Sequence, residues 1–210
     1  MRTKRECLCR LFIAVVLLVI GPASLGTAVT VTLGEQDFTD GSFPEGEAGF
    51  DIPSSGEPAP FNELGGSDYG PSFSESWTFN YTALEVTSAT LTLGIFDHDS
   101  AAPGSQVASF TVDSIDITSL LDDLFESRGG SQIEYNVYSM SLPAATFSAL
   151  SDGSATFALA LQGPGLQQGG TTTSHNSAGL DFATLTVVPE PATLLVLGLG
   201  GLALLRKRRT

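Results

Sequence analysis

Basic residues are nearly absent from the middle of this chain. Of its nine Lys and Arg, four precede Ala28 and four follow Leu205, which leaves Arg128 alone between Val29 and Glu190. That stretch holds 22 of the 23 acidic residues against the one guanidinium, so its net charge is −21, beyond the −14 of the whole chain. A surface of that sign repels phosphate backbones and anionic lipid, so no nucleic-acid partner is expected. Cysteine is just as scarce. Cys7 and Cys9 are the two in the chain, and both stand before the first apolar run. From Val29 onward there is no thiol and hence no disulfide, and a lipid-bearing cysteine would have to follow that run. A domain of roughly 160 residues can fold on its apolar core without such staples. Histidine is limited to His98 and His175. With no cysteine, no Gly-x-Ser-x-Gly elbow and no spaced partner for the two histidines, the sequence marks out neither a nucleophile–histidine pair nor a zinc centre. Carboxylate pairs for glycoside hydrolysis exist, but among 22 acids none is marked out. No enzymatic activity is therefore expected.

The two ends, by contrast, are organised. Arg2, Lys4, Arg5 and Arg10 against Glu6 are followed by an unbroken apolar run from Leu11 to Ile20, the order of an export signal peptide. Gly21 and Pro22 end the helix. Gly26 and Ala28 place small residues where a signal peptidase reads them, so cleavage is expected after Ala28. An uncleaved anchor is the competing reading, but this run covers only ~15 Å of a hydrocarbon core ~30 Å thick. At the other end Val188-Pro189-Glu190-Pro191 precedes an apolar segment from Ala192 to Leu205, and then come Arg206, Lys207, Arg208 and Arg209. Cations directly after an apolar segment stop transfer and stay on the cytoplasmic side, which puts the acidic domain outside. The segment makes ~21 Å of helix, short for a permanent membrane span. A buried core helix of that length would be amphipathic and would not end on consecutive cations.

Val-Pro-Glu-Pro, a short Leu- and Gly-rich transmembrane helix and a terminal Arg/Lys cluster, in that order, resemble the PEP-CTERM sorting signal of Gram-negative bacteria. The resemblance covers Val188 to Arg209. It implies a substrate of an exosortase, a membrane-embedded cysteine transpeptidase that would process the chain near Pro189-Glu190-Pro191 after transient anchoring in the inner membrane. Release to the cell surface or its surroundings follows, in a bacterium that makes exopolysaccharide or lives in biofilm. The signal says where the cargo goes and leaves open what it does. The expected division is a signal peptide over residues 1–28, an extracellular domain over 29–187 and the sorting signal over 188–210.

Inside the domain, alternation dominates. Ala89, Leu91, Leu93 and Ile95 alternate with Ser88, Thr90 and Thr92, which predicts a half-buried strand over Val86 to Phe96. The same period predicts strands over Val29–Leu33, Ser72–Tyr81, Val107–Val112, Ile133–Met140, Thr156–Leu161 and Asp181–Val187. Turns such as Asp152-Gly153 separate them, so the expected fold is all-β, an antiparallel sandwich or jelly roll. Thr118 to Glu126, with Leu120, Leu121, Leu124 and Phe125, predicts one short helix capped by Thr118 or Ser119. Gly34 to Pro71 reads as a long loop with at most one short strand, and Gly163 to Gly179 as a long hairpin loop. The strand-and-turn pattern from Phe73 to Val187 is also similar to the β-sandwich cargo that often precedes this sorting signal, a likeness of fold.

One constellation has a ligand pattern. Asp97 and Asp99 flank His98 directly after a strong strand, and Asp181 opens the last one. Alternate residues face one way in an extended segment, and hard oxygens at a strand end suit calcium, with Asn176 or a loop carbonyl completing the shell. The same aspartates serve equally as turn residues that accept backbone N–H groups, and the Asp-x-Asp-x-Asp-Gly loop is missing. A carbohydrate-binding face would need exposed aromatics from among Tyr69, Trp77, Tyr81, Tyr135 and Tyr138, and most of these stand at strand positions that predict core packing. Two functions follow. One is a non-enzymatic surface or matrix protein whose sandwich is structural or adhesive; the other is a carbohydrate-binding module for exopolysaccharide, stabilised by calcium.

Overall fold

Alternating apolar and hydroxyl residues become the two faces of antiparallel sheets in the computed structural model, which describes residues 26–44, 57–96, 98–128, 133–163, 166–168 and 171–191. The apolar run expected to belong to a signal peptide and the tail from residue 192 onward lie outside the described residues. Among those described, no helix is long and apolar enough to cross a membrane. Residues Ala28–Val188 form one compact unit.

The first sheet has the order β1 (Val29–Gly34), β11 (Ala178–Pro189), β4 (Val86–Phe96) and β7 (Tyr135–Ser141), with the short β2 (Glu63–Gly65) also on β11. The second has the order β3 (Ser74–Asn80), β8 (Ser154–Leu161), β5 (Val107–Val112) and β6 (Ile115–Asp116). Their inner faces share one core, in which Leu91, Leu93 and Leu185 of the first sheet meet Trp77, Phe110 and Phe157 of the second. Trp77 stacks on Phe157 at 6.0 Å, and Phe79 meets the same ring edge-on at 5.7 Å. Such pairs add roughly 0.5–1.5 kcal/mol each beyond the area they bury.

Outward positions of the first sheet are hydroxyls. Thr30 lies opposite Thr186 and Thr32 opposite Thr184, while Thr90 lies opposite Ser141 and Thr92 opposite Ser139. Nearer the other end of this face, Phe182 is one residue out of phase with Ala183 and so points away from the main core. It joins Phe96 and Tyr135 in a second small apolar cluster with Phe38, Leu64 and Val137.

The expected strands are all present, with boundaries moved for identifiable reasons. β7 begins at Tyr135 rather than Ile133, because Ile133 is exposed and has φ 62°, a left-handed conformation that no strand residue adopts. β11 starts three residues before Asp181. The long loop contains β2, and the stretch before Asn176 contains a two-stranded hairpin, β9 (Leu166–Gln168) with β10 (Thr171–Thr173). Helix α1 (Thr118–Arg128) buries Leu121 and Phe125. Its first N–H is taken by Asp116 rather than by Thr118 or Ser119, at 2.9 Å, because the Thr118 hydroxyl itself turns back to Asp116 at 2.6 Å. A second helical piece, which shows no clear period in sequence, runs through the 3-10 turn Ala144–Thr146 into α2 (Phe147–Leu150).

Candidate functional site

The sorting segment begins where the last strand ends. β11 pairs with β1 up to Val187 opposite Val29, and the Val188 carbonyl still accepts the Thr87 hydroxyl at 3.0 Å. Pro189 has no N–H to continue a ladder, and Pro191 holds the residue before it out of the helical region. The strand stops at Pro189, and Glu190 is exposed. Ala28, the expected signal-peptidase site, is likewise exposed just before β1. Arg206, Lys207, Arg208 and Arg209 lie outside the described residues.

Asp181 sits at the opposite end of β11, fully buried. Its carboxylate accepts the Tyr135 O–H at 2.6 Å and the Asp37 N–H at 3.2 Å. Asn62 donates its side-chain amide to Asp37 at 3.0 Å and to Glu57, and its own N–H reaches the Leu180 carbonyl at 2.7 Å. Burial pushes Asp181 up to about 6; the Tyr135 and Asp37 hydrogen bonds work against that, and the charges of Asp37 and Glu57 add to it. The Tyr135 hydroxyl is pushed far up by burial and by its bond to Asp181. Of the aspartates expected to share calcium, Asp97 lies outside the described residues, and Asp99 is half-buried with φ 48°. Asn176 is fully buried; its amide nitrogen donates to the His98 and Gln162 carbonyls, while its Oδ1, the atom a calcium ion would use, has no hydrogen-bond partner. Among the described residues, no group of three His, Cys, Asp or Glu side chains stands ready to hold a metal ion.

The two histidines sit in different surroundings. His98 is fully buried, its Nε2 lies 2.7 Å from the Tyr138 hydroxyl, and Phe125 covers the ring at 4.5 Å. Burial pushes it down to about 3, so the ring is neutral and out of reach of a substrate. His175 is half-buried in the stretch between the β9–β10 hairpin and β11. Trp77, Tyr135 and Tyr138 are buried, and Tyr81 is half-buried with its hydroxyl on the Leu150 carbonyl. Tyr69, at 75 % exposure, is the one strongly exposed ring of those proposed for a sugar-binding face. Arg128 is committed to structure: it pairs with Asp40 at 2.5 Å, donates to the Val137 carbonyl and lies 5.3 Å over the Tyr138 ring. Burial works against Asp40 as an anion, but the Val137 N–H and Arg128 outweigh it and hold the carboxyl below its usual range.

Asp37, Glu57 and Asn62 were invisible to periodicity, since they come from stretches of the expected loop with no repeating pattern. The paired hydroxyls did leave a signal, in the doublets Thr30-Val31-Thr32, Thr90-Leu91-Thr92, Ser139-Met140-Ser141 and Thr184-Leu185-Thr186.

The PEP-CTERM protein-sorting motif matches residues 187–209. No curated protein matches the chain. Among solved structures the chain is similar to the CBM35 from Cellvibrio japonicus Abf62, at 10 % identity and TM-score 0.37 over 78 % of this chain and 99 % of that one. It is also similar to a family 35 carbohydrate binding module from Clostridium thermocellum, at 10 % identity and TM-score 0.32 over 75 % and 90 %. Dimeric latent PorU from Porphyromonas gingivalis aligns at 10 % identity and TM-score 0.40 over 77 % of this chain and 13 % of that one. These scores are too low to carry a ligand or an activity across.

Proposed function

We propose that this protein is exported, held briefly at the inner membrane by its tail, processed near Pro189-Glu190-Pro191 by an exosortase, and displayed at the cell surface or in the matrix around it as a non-enzymatic, structural or adhesive β-sandwich. The observation that carries this reading is the sorting motif over residues 187–209. The acidic domain goes outside because its one guanidinium offers nothing to retain on the cytoplasmic side, whereas moving Arg206 to Arg209 through the bilayer is costly. Signal peptidase and exosortase are its partners in transit.

The test is intact mass spectrometry of the surface protein from its native host. The wild-type chain should end at or near Pro-Glu-Pro. A Pro189→Ala, Glu190→Ala, Pro191→Ala variant should remain full-length and membrane-bound. Recovery of the released wild-type protein with Arg206 to Thr210 still attached overturns the reading.

A second reading, as a module that binds exopolysaccharide, is favoured by the uncharged hydroxyl face of the first sheet rather than by aromatic rings. Calcium completes the proposal as a stabiliser at Asp181. Two acceptors there lack a donor: the amide oxygen Oδ1 of Asn62 and the carboxylate oxygen Oε1 of Glu57 are buried and have no hydrogen-bond partner. A hard cation would relieve that excess of acceptors.

A further inference from the structure

The outer face of the first sheet is a two-dimensional array of hydroxyls. β1 and β11 bring Thr30 to 3.1 Å from Thr186 and Thr32 to 2.9 Å from Thr184, hydroxyl to hydroxyl. On the other pair of strands Thr92 donates to Ser139 at 3.1 Å, and one step along, Thr90 faces Ser141. β11 and β4 are neighbours, and with Thr87 beside Val188 and Gly94 beside Phe182 their register puts the doublets of all four strands side by side. Strands lie ~4.8 Å apart and alternate residues ~6.7 Å apart, so the array repeats in both directions. Each hydroxyl has one donor and two acceptor positions, and a bonded pair uses one of each; every pair thus keeps one O–H and three acceptor positions for a partner.

This face is also uncharged, in a domain of net charge −21. β1, β4 and β7 contain no Asp, Glu, Lys or Arg, and the one acid in β11 is the buried Asp181. The second sheet differs. It has the exposed hydroxyls Ser74, Ser76 and Thr78 on β3 and the bonded pair Thr78 and Thr156 at 2.9 Å, but Ala158 and Ala160 interrupt the array on β8 and β6 carries the exposed Asp116.

We infer that the Thr/Ser face of the first sheet binds a neutral, hydroxyl-rich polysaccharide laid across its strands. The inference rests on the reading that the domain is displayed outside the cell. Charge selects the partner. A polyanion is repelled by the domain as a whole, and a polycation is drawn to the acidic loops rather than to this face. A neutral polymer of hydroxyls can exchange hydrogen bonds with the array without desolvating any ion. An open face rather than a groove admits a chain that continues in both directions, as a matrix polymer does.

The experiment is retention of the processed, released protein on insoluble cellulose, chitin and starch as neutral probes, with alginate beads as the anionic one. Wild-type protein should be held on at least one neutral probe and not on alginate. Retention should persist from about 0.1 to about 1 M sodium chloride, over which the screening length falls from about 10 to about 3 Å. Thr92→Glu with Thr184→Glu should weaken it by about tenfold or more, while Ser76→Glu with Thr78→Glu on the other sheet should not. Thr30→Val with Thr32→Val keeps the strand and removes hydroxyls alone; it should weaken retention at an unchanged melting temperature. Absence of retention on every neutral probe, elution by salt, or equal loss in the second-sheet variant overturns the inference. A dimer in sedimentation that the Thr92 and Thr184 variants abolish also overturns it, by assigning the face to a second copy of the chain. Correct trimming at Pro-Glu-Pro with no retention would leave the sorting reading standing and remove this inference together with the exopolysaccharide-binding reading, which rests on the same face.

Discussion

Asp181 and His98 are buried groups whose ionisation the fold resists, with opposite consequences for stability. For Asp181, held up to about 6, the folded chain binds more proton than the unfolded one between the ordinary carboxyl value of about 3.9 and that point. Rising pH therefore lowers stability across this window. His98 is held down to about 3, so between there and the ordinary value of about 6.5 it is the unfolded chain that binds more proton, and rising pH raises stability. The two slopes oppose each other from about pH 4 to about pH 6. In chelator-treated protein, Asp181→Asn removes the falling slope alone. Its stability should climb more steeply than the wild type across that window and exceed it at pH 7. Urea unfolding at several pH values checks this, and superimposable profiles would mean that Asp181 carries no such penalty.

At the scale of the element, β4 must be thin where it passes Tyr135. A Cβ on Gly94 would run into the Tyr135 hydroxyl and would lie 2.7 Å from two ring carbons of Phe182. Glycine there lets a residue of β7 reach across β4 to Asp181 on β11, which ties three adjacent strands together. Gly94→Ala should cost about 1–3 kcal/mol, the usual range for overpacking a core. It should do so partly by displacing that hydroxyl. Tyr135→Phe, which removes the hydroxyl directly, should then cost less in the Gly94→Ala background than alone. Thermal unfolding of the two single variants and the double variant measures the coupling; strictly additive costs would show that Gly94 does not act through Tyr135.

For the molecule as a whole, the dominant fact is its charge. With 22 carboxylates and one guanidinium between Val29 and Glu190, self-repulsion opposes the compact state and salt relieves it. Sodium chloride should therefore raise the melting temperature of the processed protein. Calcium at matched ionic strength should raise it further, by linkage to a site that exists in the folded state, and Asp181→Asn should abolish the difference between the two salts. Equal shifts with sodium and calcium would eliminate the calcium site and leave screening as the whole effect.

By itself the sequence determined the ends and the local periods. The sorting motif over residues 187–209 is a linear order of Pro-Glu-Pro, apolar run and cations, and the basic, apolar and small residues from Arg2 to Ala28 are legible in the same way, because neither pattern depends on which strands pair. Leu91, Leu93 and Leu185 alternate with threonines, and α1 shows its own apolar face, because period is a property of neighbours along the chain. Only the tertiary structure decided which strands lie side by side. Thr30 meets Thr186 across 156 residues, and Asp37 meets Asp181 across 144. Those partnerships depend on which apolar faces close against each other, and the hydroxyl array and the carboxylate cluster exist only as by-products of that closure.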